Sequence, residues 1–221
     1  MKRSLTCIVL TILLFASFVH SQTYDREKIW EKEINAFAGI DRKQTPPDNA
    51  VLFVGSSSIR LWENLRESFP DLKVINRGFG GSRLDDVNHY FDKIVLPYKP
   101  KTIVLYAGEN DISEGISPEI VAENYRKFAA MVHKRLPKTK IFYVSLKPSP
   151  SRWKLAGNFQ KANELIKAET EKDKSAKFID VWKSMLGANG EPMEDIFVAD
   201  KLHMNEKGYR IWTGIMEKYL K

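Results

Sequence analysis

Short apolar runs alternate with longer amphipathic segments along most of this 221-residue chain. The run VLFV at residues 51–54 is continuously apolar, as expected for a strand that is buried on both faces of a sheet. The later candidate strands are residues 72–75, 102–106, 140–144 and 177–179. Helical periodicity predicts helices near residues 59–69, 84–95, 118–135, 157–173 and 205–220. This alternation predicts an α/β fold with a five-stranded parallel sheet, right-handed connections and helices on both faces.

The first 21 residues have the pattern of a signal peptide. Lys2 and Arg3 provide a positive start, an apolar run follows over residues 5–19, and Ser21 offers a small residue for cleavage before Gln22. We therefore expect export to the periplasm or the medium, with no stable membrane insertion of the mature chain. The alternative is an uncleaved membrane anchor, but the run is short for a span of about 20 residues.

The rest of the chain divides into a short N-terminal segment and one domain. Residues 22–49 are predicted to form a helix, over 24–38, and a linker, because apolar residues recur there at helical spacing and Pro46 and Pro47 then interrupt the pattern. Residues 50–221 form the predicted catalytic domain. We find no internal repeat and no low-complexity tract.

Charge and cysteine content exclude several functions. The formal net charge is +7, but the lysines are spread along the chain and no basic block with interleaved aromatic residues indicates nucleic-acid binding. Cys7 is the only cysteine and lies within the predicted signal peptide. The mature chain would therefore have no disulfide, no cysteine nucleophile and no thiolate zinc site. The phosphate-binding motifs of nucleotide-binding proteins are also missing from the sequence.

Chemically useful residues follow the predicted strands. In a parallel sheet of this type, the functional site lies beyond the carboxyl ends of the strands. Three of those ends and one later segment carry candidate site residues, in the blocks GSSSI (55–59), NRGFGGS (76–82), GEND (108–111) and DKLH (200–203).

Together the four blocks contain the parts of a serine hydrolase. A serine hydroxyl needs a base, a histidine oriented by a carboxylate is such a base, and backbone N–H groups or an asparagine amide can bind an oxyanion. Each block alone has a simpler interpretation. A serine-rich turn is usually a helix cap, a glycine loop is usually a turn, and an Asp-x-x-His pair can be a cap beside a surface histidine. Their joint order at strand ends favours catalysis.

The chain resembles the SGNH hydrolase superfamily, the GDSL-like lipases and acylhydrolases, over about residues 50–215. The resemblance implies a three-layer, flavodoxin-like α/β/α fold, with Ser57 as nucleophile and with Asp200 and His203 completing the triad. It also implies an oxyanion hole made by the Ser57 N–H, the Gly81 N–H and the Asn110 side chain. The family's first block usually reads Gly-Asp-Ser, whereas here Ser56 replaces the aspartate. Three adjacent serines result, and the register of the block selects Ser57.

The predicted reaction is hydrolysis of a carboxylic ester through an acyl-enzyme, with no cofactor or metal. We expect short acyl groups, such as acetate on a carbohydrate, because no apolar segment after the signal peptide would shelter a fatty chain. Arg152 and Trp153 follow the fourth strand and are candidates for binding a sugar ring. The alternatives are a lysophospholipase or thioesterase and, less favoured, a non-catalytic binding module on the same scaffold. Fold analogy does not choose among substrates.

Asp200 is the predicted triad carboxylate because a short turn can fold it back onto His203, three residues later. The rival carboxylates are Asp180, at the end of the fifth strand, and Asp195, before the final loop. Asp111 is also near the site, but we expect it to brace the third loop. In the rival interpretation, Asp200 only caps the helix that begins near residue 205.

Overall fold

The apolar runs form one parallel sheet in the computed structural model, which describes residues 25–220. Its strands lie in the order β2-β1-β3-β4-β5, all parallel. This is the flavodoxin-like order, in which the reversal of strand order between β1 and β3 opens a crevice at the carboxyl edge. The strands are β1 (Val51–Gly55), β2 (Val74–Gly78), β3 (Thr102–Tyr106), β4 (Lys140–Val144) and β5 (Ala176–Ile179).

Helices cover both faces of the sheet and give the three-layer fold that the sequence predicts. The helices are α1 (Arg26–Lys43), α2 (Ser57–Arg60), α3 (Leu65–Ser68), α4 (Leu84–His89), α5 (Phe91–Ile94), α6 (Glu109–Ser113), α7 (Pro118–Arg135), α8 (Ala156–Glu171) and α9 (Glu206–Leu220). Among residues 25–220, no helix is both long and apolar enough to cross a membrane.

Alternation along β1 divides the core into two halves. Leu52 and Val54 pack into the half that α1, α4, α5, α7 and α8 cover. Val51 and Phe53 pack into the half that α2, α3 and α9 cover. β1 is buried on both faces and each of its residues is apolar or glycine, which explains why its sequence is easy to recognise.

The second strand begins two residues later and ends three residues later than its apolar run predicts. It includes Asn76 and Arg77, which the sequence analysis placed in the loop. The Arg77 guanidinium is buried in an ion pair with Asp41 and donates a hydrogen bond to the Tyr98 hydroxyl at 2.6 Å. A charged residue can thus occupy a buried strand because its donors are satisfied, and apolarity alone misses it.

Three predicted helices also differ from the structure. The segment predicted as 59–69 forms two single turns, α2 and α3, and the segment predicted as 84–95 is divided into α4 and α5 at Tyr90. The N-terminal helix continues to Lys43 rather than residue 38, and its residues Trp30 and Ile34 belong to the core. The predicted signal peptide, residues 1–21, lies outside the described residues.

Candidate active site

The turn between β1 and α2 presents one of the three serines. Gly55 has φ +140°, and a Cβ there would lie 1.9 Å from the Tyr106 carbonyl oxygen, so only glycine allows β1 and β3 to approach this closely. Ser56 and Ser58, on either side of the predicted nucleophile, are only 3% and 2% exposed. Ser57, the first residue of α2, is only partly buried. The turn therefore offers the Ser57 hydroxyl to the surface and hides its neighbours.

Ser57, His203 and Asp200 form one chain of hydrogen bonds. His203 Nε2 lies 2.9 Å from Ser57 Oγ, and His203 Nδ1 lies 2.6 Å from Asp200 Oδ2. The other carboxylate oxygen, Oδ1, accepts the backbone N–H groups of Leu202 and His203 at 2.8 and 2.9 Å. These bonds fold Asp200 back onto the imidazole. With Nδ1 donating to the carboxylate, Nε2 is free to accept the Ser57 proton.

The charge on Asp200 is stabilised by its donors. Slight burial raises the pKa of this carboxyl group, but the hydrogen bonds from the His203 ring and from the backbone of Leu202 and His203 outweigh it and lower the pKa to about 2. Asp200 is therefore ionised at neutral pH. It can orient the imidazole and balance the positive charge that His203 would gain as a base.

Two of the rival carboxylates have other partners. Asp180 accepts the backbone N–H of Trp182 at 2.9 Å, and Asp195 forms an ion pair with Lys207 at 3.1 Å. Asp200 is not the cap of the last helix. Asn205 caps it instead, because Asn205 Oδ1 accepts two N–H groups from the first turn of α9. The geometry thus favours Asp200 as the partner of His203.

Asp111 lies beneath the site and braces it. Its buried carboxylate accepts the Leu84 N–H at 3.0 Å, which links the third block to the start of α4. The pKa of Asp111 is raised to about 7, mainly by burial and also by the neighbouring Asp85 and Asp86 charges, against the opposing effect of the Leu84 hydrogen bond. This bracing position is the one that the sequence analysis expected for Asp111.

Gly81 lies in a loop that can supply an anion-binding N–H. We call residues 79–82 the glycine loop; it follows β2 and contains Gly80 and Gly81. Gly81 has φ +73°, a left-handed conformation that favours glycine. Among residues 25–220, the N–H groups of Gly81 and Ser57 donate to no acceptor. Both predicted backbone donors are therefore available to a ligand.

The Asn110 amide has an orientation fixed by its neighbours. Its Nδ2 donates to the Ser82 carbonyl at 3.0 Å, and its Oδ1 accepts from Arg152 Nη1 at 3.0 Å. Because arginine can only donate, the amide oxygen must face Arg152. One N–H of Nδ2 then remains for an oxyanion. Arg152, predicted to bind substrate, lies where it holds Asn110 and pairs with Glu109 at 3.2 Å.

A buried ion pair behind Asn110 was missed in the sequence analysis. Lys147 Nζ lies 2.8 Å from Glu109 Oε2, both side chains are almost fully buried, and the Tyr106 hydroxyl donates to the same carboxylate. Burial raises the pKa of Glu109, but the Lys147 and Arg152 cations outweigh it and hold that pKa below its usual value. Burial lowers the pKa of Lys147, and Glu109 opposes this change. The sequence does contain a signal for this pair, because Glu109 follows β3 and Lys147 follows the neighbouring strand β4.

Trp153 packs against the protein instead of standing free in the site. Its ring stacks on that of Trp182 with a centroid distance of 6.0 Å and an interplanar angle of 27°. The side chain is only partly buried, so one part of it remains accessible. The packing interpretation explains this position without a ligand, and binding of a sugar ring by Trp153 stays a prediction.

Replacing Asn110 by alanine should lower kcat by roughly 10²–10³ with little change in KM, because an oxyanion donor acts mainly in the transition state. Steady-state kinetics with p-nitrophenyl acetate would measure both constants, and Tm would show the effect on folding. Ser113→Ala is the matched control, since the Ser113 hydroxyl donates to the Asn110 carbonyl on the same short helix. A folded Asn110→Ala enzyme that changes in KM alone would place Asn110 in substrate binding.

The flavodoxin-like sheet carries a hydrogen-bonded serine, histidine and aspartate at its carboxyl edge. This arrangement is typical of a serine hydrolase. Comparison with known proteins identifies the family. The sequence profile of the GDSL-like lipase/acylhydrolase family matches residues 44–211. The chain belongs to this family, and it is a carboxylic ester hydrolase. The search of curated protein sequences gave no match.

Solved structures with the same fold are distant in sequence. A Streptococcus pneumonia protein, provisionally named a platelet activating factor, has a TM-score of 0.77 at 19% identity, covering 88% of this chain and 94% of its own. A GDSL-like lipase from Bacteroides thetaiotaomicron has a TM-score of 0.71 at 21% identity, covering 84% and 96%. An acetyl-xylooligosaccharide esterase variant from Geobacillus Stearmophilus has 0.64 at 14%, covering 79% and 95%. At these identities the similarity concerns the fold.

Proposed function

We propose that the protein is a serine esterase that removes short acyl groups, above all acetate, from carbohydrate alcohols. The hydrogen-bonded chain from Asp200 through His203 to Ser57 is the observation that carries the proposal. It places a base on the nucleophile and a carboxylate on the base, which are the two relations that activate a serine.

The proposed reaction has two halves. The Ser57 proton passes to His203 Nε2 as Ser57 Oγ bonds to the ester carbonyl carbon. The N–H groups of Ser57 and Gly81 and the Asn110 amide hold the resulting oxyanion. The bond to the alcohol oxygen then breaks, and that oxygen takes the proton from His203. Water repeats the sequence on the acyl-enzyme, which releases the acid and restores Ser57.

A groove beside the triad supports a polar alcohol. It has a volume of about 550 Å³, and its lining includes Asp200, His203, Glu63, Asn64 and Glu206. Carboxylate and amide groups suit the hydroxyls of a sugar, whereas carboxylates repel an anionic phosphodiester. Leu61, Val198 and Met204 add apolar surface to the same groove. The esterase from Geobacillus Stearmophilus, which acts on acetyl-xylooligosaccharides by its name, shows that the same fold can accommodate this substrate class.

Esters of graded chain length would test the substrate class. We expect kcat/KM on p-nitrophenyl esters to fall from acetate to longer acyl groups, and we expect acetate release from acetylated xylo-oligosaccharides. Highest activity on octanoate or longer esters, or on lysophospholipids with no acetate release from sugars, would favour the lysophospholipase or thioesterase alternative. Inactivity on all of these esters would favour the binding module.

We also propose that the protein acts outside the cytoplasm after cleavage between Ser21 and Gln22. The basic start and the apolar run of the first 21 residues support this proposal. N-terminal sequencing of the protein from its native host would give Gln22 as the first residue. An intact Met1 on protein recovered from the cytoplasm would be inconsistent with export.

A further inference from the structure

Helix α1 contacts the glycine loop through two polar side chains. Trp30 Nε1 donates to the Gly80 carbonyl at 2.7 Å, and Glu33 Oε2 accepts the Gly80 N–H at 3.3 Å. Trp30 and Glu33 are three residues apart and therefore lie on the same side of α1. Both precede residue 44, where the match to the family profile begins. The catalytic blocks thus receive support from a helix outside the family match.

The Gly80 carbonyl and the Gly81 N–H belong to the same peptide unit. A trans peptide is planar, so its C=O and N–H point in opposite directions. A hydrogen bond that holds the carbonyl oxygen toward Trp30 therefore also turns the N–H away from α1. The Gly81 N–H is a donor of the proposed oxyanion hole, so the Trp30 hydrogen bond sets the direction of a catalytic group.

The Gly80–Gly81 peptide needs a hydrogen bond from another part of the chain to fix its orientation, because both of its residues are glycines. Nothing lies within 4 Å of the position that a Cβ on Gly81 would take, and glycine has no steric preference between the φ regions. A rotated peptide would place the Gly80 carbonyl oxygen, instead of the Gly81 N–H, toward the oxyanion. That arrangement would repel the transition state that the site has to stabilise.

Trp30 is itself held firmly. Its side chain is 3% exposed and packs edge-on against Phe79, with ring centroids 5.6 Å apart. Near the start of α1, Arg26 pairs with Asp86 at 2.8 Å. Near its end, Asp41 accepts a hydrogen bond from the Tyr98 hydroxyl at 2.6 Å. A helix that is fixed at both ends can keep the Trp30 N–H in one place.

We propose that Trp30 is a positioning residue of the esterase, whose indole N–H fixes the Gly80–Gly81 peptide and so aims the Gly81 N–H at the oxyanion. The inference rests on the proposed function, since the oxyanion forms only when Ser57 attacks an acyl carbonyl. Glu33 contributes to the same effect by holding the Gly80 N–H.

Trp30→Phe is the direct test, because phenylalanine keeps an aromatic ring against Phe79 and removes the donor together with part of the ring volume. We expect kcat on p-nitrophenyl acetate to fall roughly 10–100-fold with KM nearly unchanged, less than the full loss of an oxyanion donor. The affinity for a boronic acid, whose serine adduct carries an oxyanion, should weaken by a similar factor. Ile34→Ala is the matched control, since Ile34 is equally buried on α1 and has no polar group.

A general loss of packing would lower Tm in both variants without the specific loss of kcat in Trp30→Phe. If Trp30→Phe does not fold, Glu33→Ala serves as the second variant, because this side chain is 38% exposed and lies outside the core. A folded Trp30→Phe enzyme with wild-type kcat and boronate affinity would overturn the positioning role. An inactive wild-type enzyme would instead count against the proposed function. Crystal structures of the wild type and of Trp30→Phe would show whether the Gly80 carbonyl still points to α1.

Discussion

Ser57→Ala should reduce esterase activity to background, a loss of roughly 10⁶-fold in kcat, because it removes the atom that forms the acyl-enzyme. The fold should persist, since the Ser57 side chain is only partly buried and its hydroxyl bonds to His203. Hydrolysis of p-nitrophenyl acetate by the purified variant is the measurement, with the absence of an acyl-enzyme by mass spectrometry as a second readout.

Ser56→Ala and Ser58→Ala are the matched controls, because they change the adjacent hydroxyls and leave the proposed nucleophile in place. Both serines are buried, so their substitution should change Tm but leave much of the activity. Near-wild-type turnover by Ser57→Ala would reject the assignment, and the neighbouring serine whose loss removes activity would then be the nucleophile.

Asp200→Asn should lower kcat by about 10²–10⁴ while Tm stays close to that of the wild type. The amide oxygen can still accept the N–H groups of Leu202 and His203, so the turn keeps its backbone hydrogen bonds. The amide nitrogen, however, would face His203 Nδ1 as a donor. It would favour the wrong tautomer and would not balance the imidazolium charge. Kinetics and thermal unfolding of the same preparation would separate these effects.

Asp180→Asn and Asp195→Asn are the controls for the triad carboxylate, and both should keep most of the activity. The pKa of Asp200 is lowered to about 2, which determines the pH at which the triad loses its carboxylate charge. A depressed pKa keeps the carboxylate ionised from neutral pH down to about pH 3, so Asp200 should lose its charge only in more acidic solution. The triad is wrong if Asp200→Asn stays active and one of the two control variants does not.

The parts of the fold that the sequence predicts are those where local composition and burial agree. Strand β3 and helix α7 have the predicted bounds, since a doubly buried strand must be apolar and a long surface helix must be amphipathic. Strand β2 was misplaced because the partners that make Arg77 tolerable there, Asp41 and Tyr98, come from distant parts of the chain.

Site residues follow the same division. Ser57 and His203 belong to recognisable sequence blocks. The structure places them within hydrogen-bond distance, as a serine and its base require. The Lys147–Glu109 pair and the contact of Trp30 with Gly80 join residues 38 and 50 positions apart. Neither pair has a local pattern, because a buried charge or an indole N–H has meaning only beside its partner. Such contacts become visible only when the topology is known.

The contact between Ser57 and His203 spans 146 residues, from the end of the first strand to the segment before the last helix. A contact of such long range must overcome the entropy of closing a long loop, so we expect it to form later in folding than the local turns of the helices. Partly folded intermediates would contain the nucleophile without its base and would be inert toward esters. Recovery of activity during refolding would thus report the closing step of assembly, whereas circular dichroism would report the earlier appearance of helices and strands.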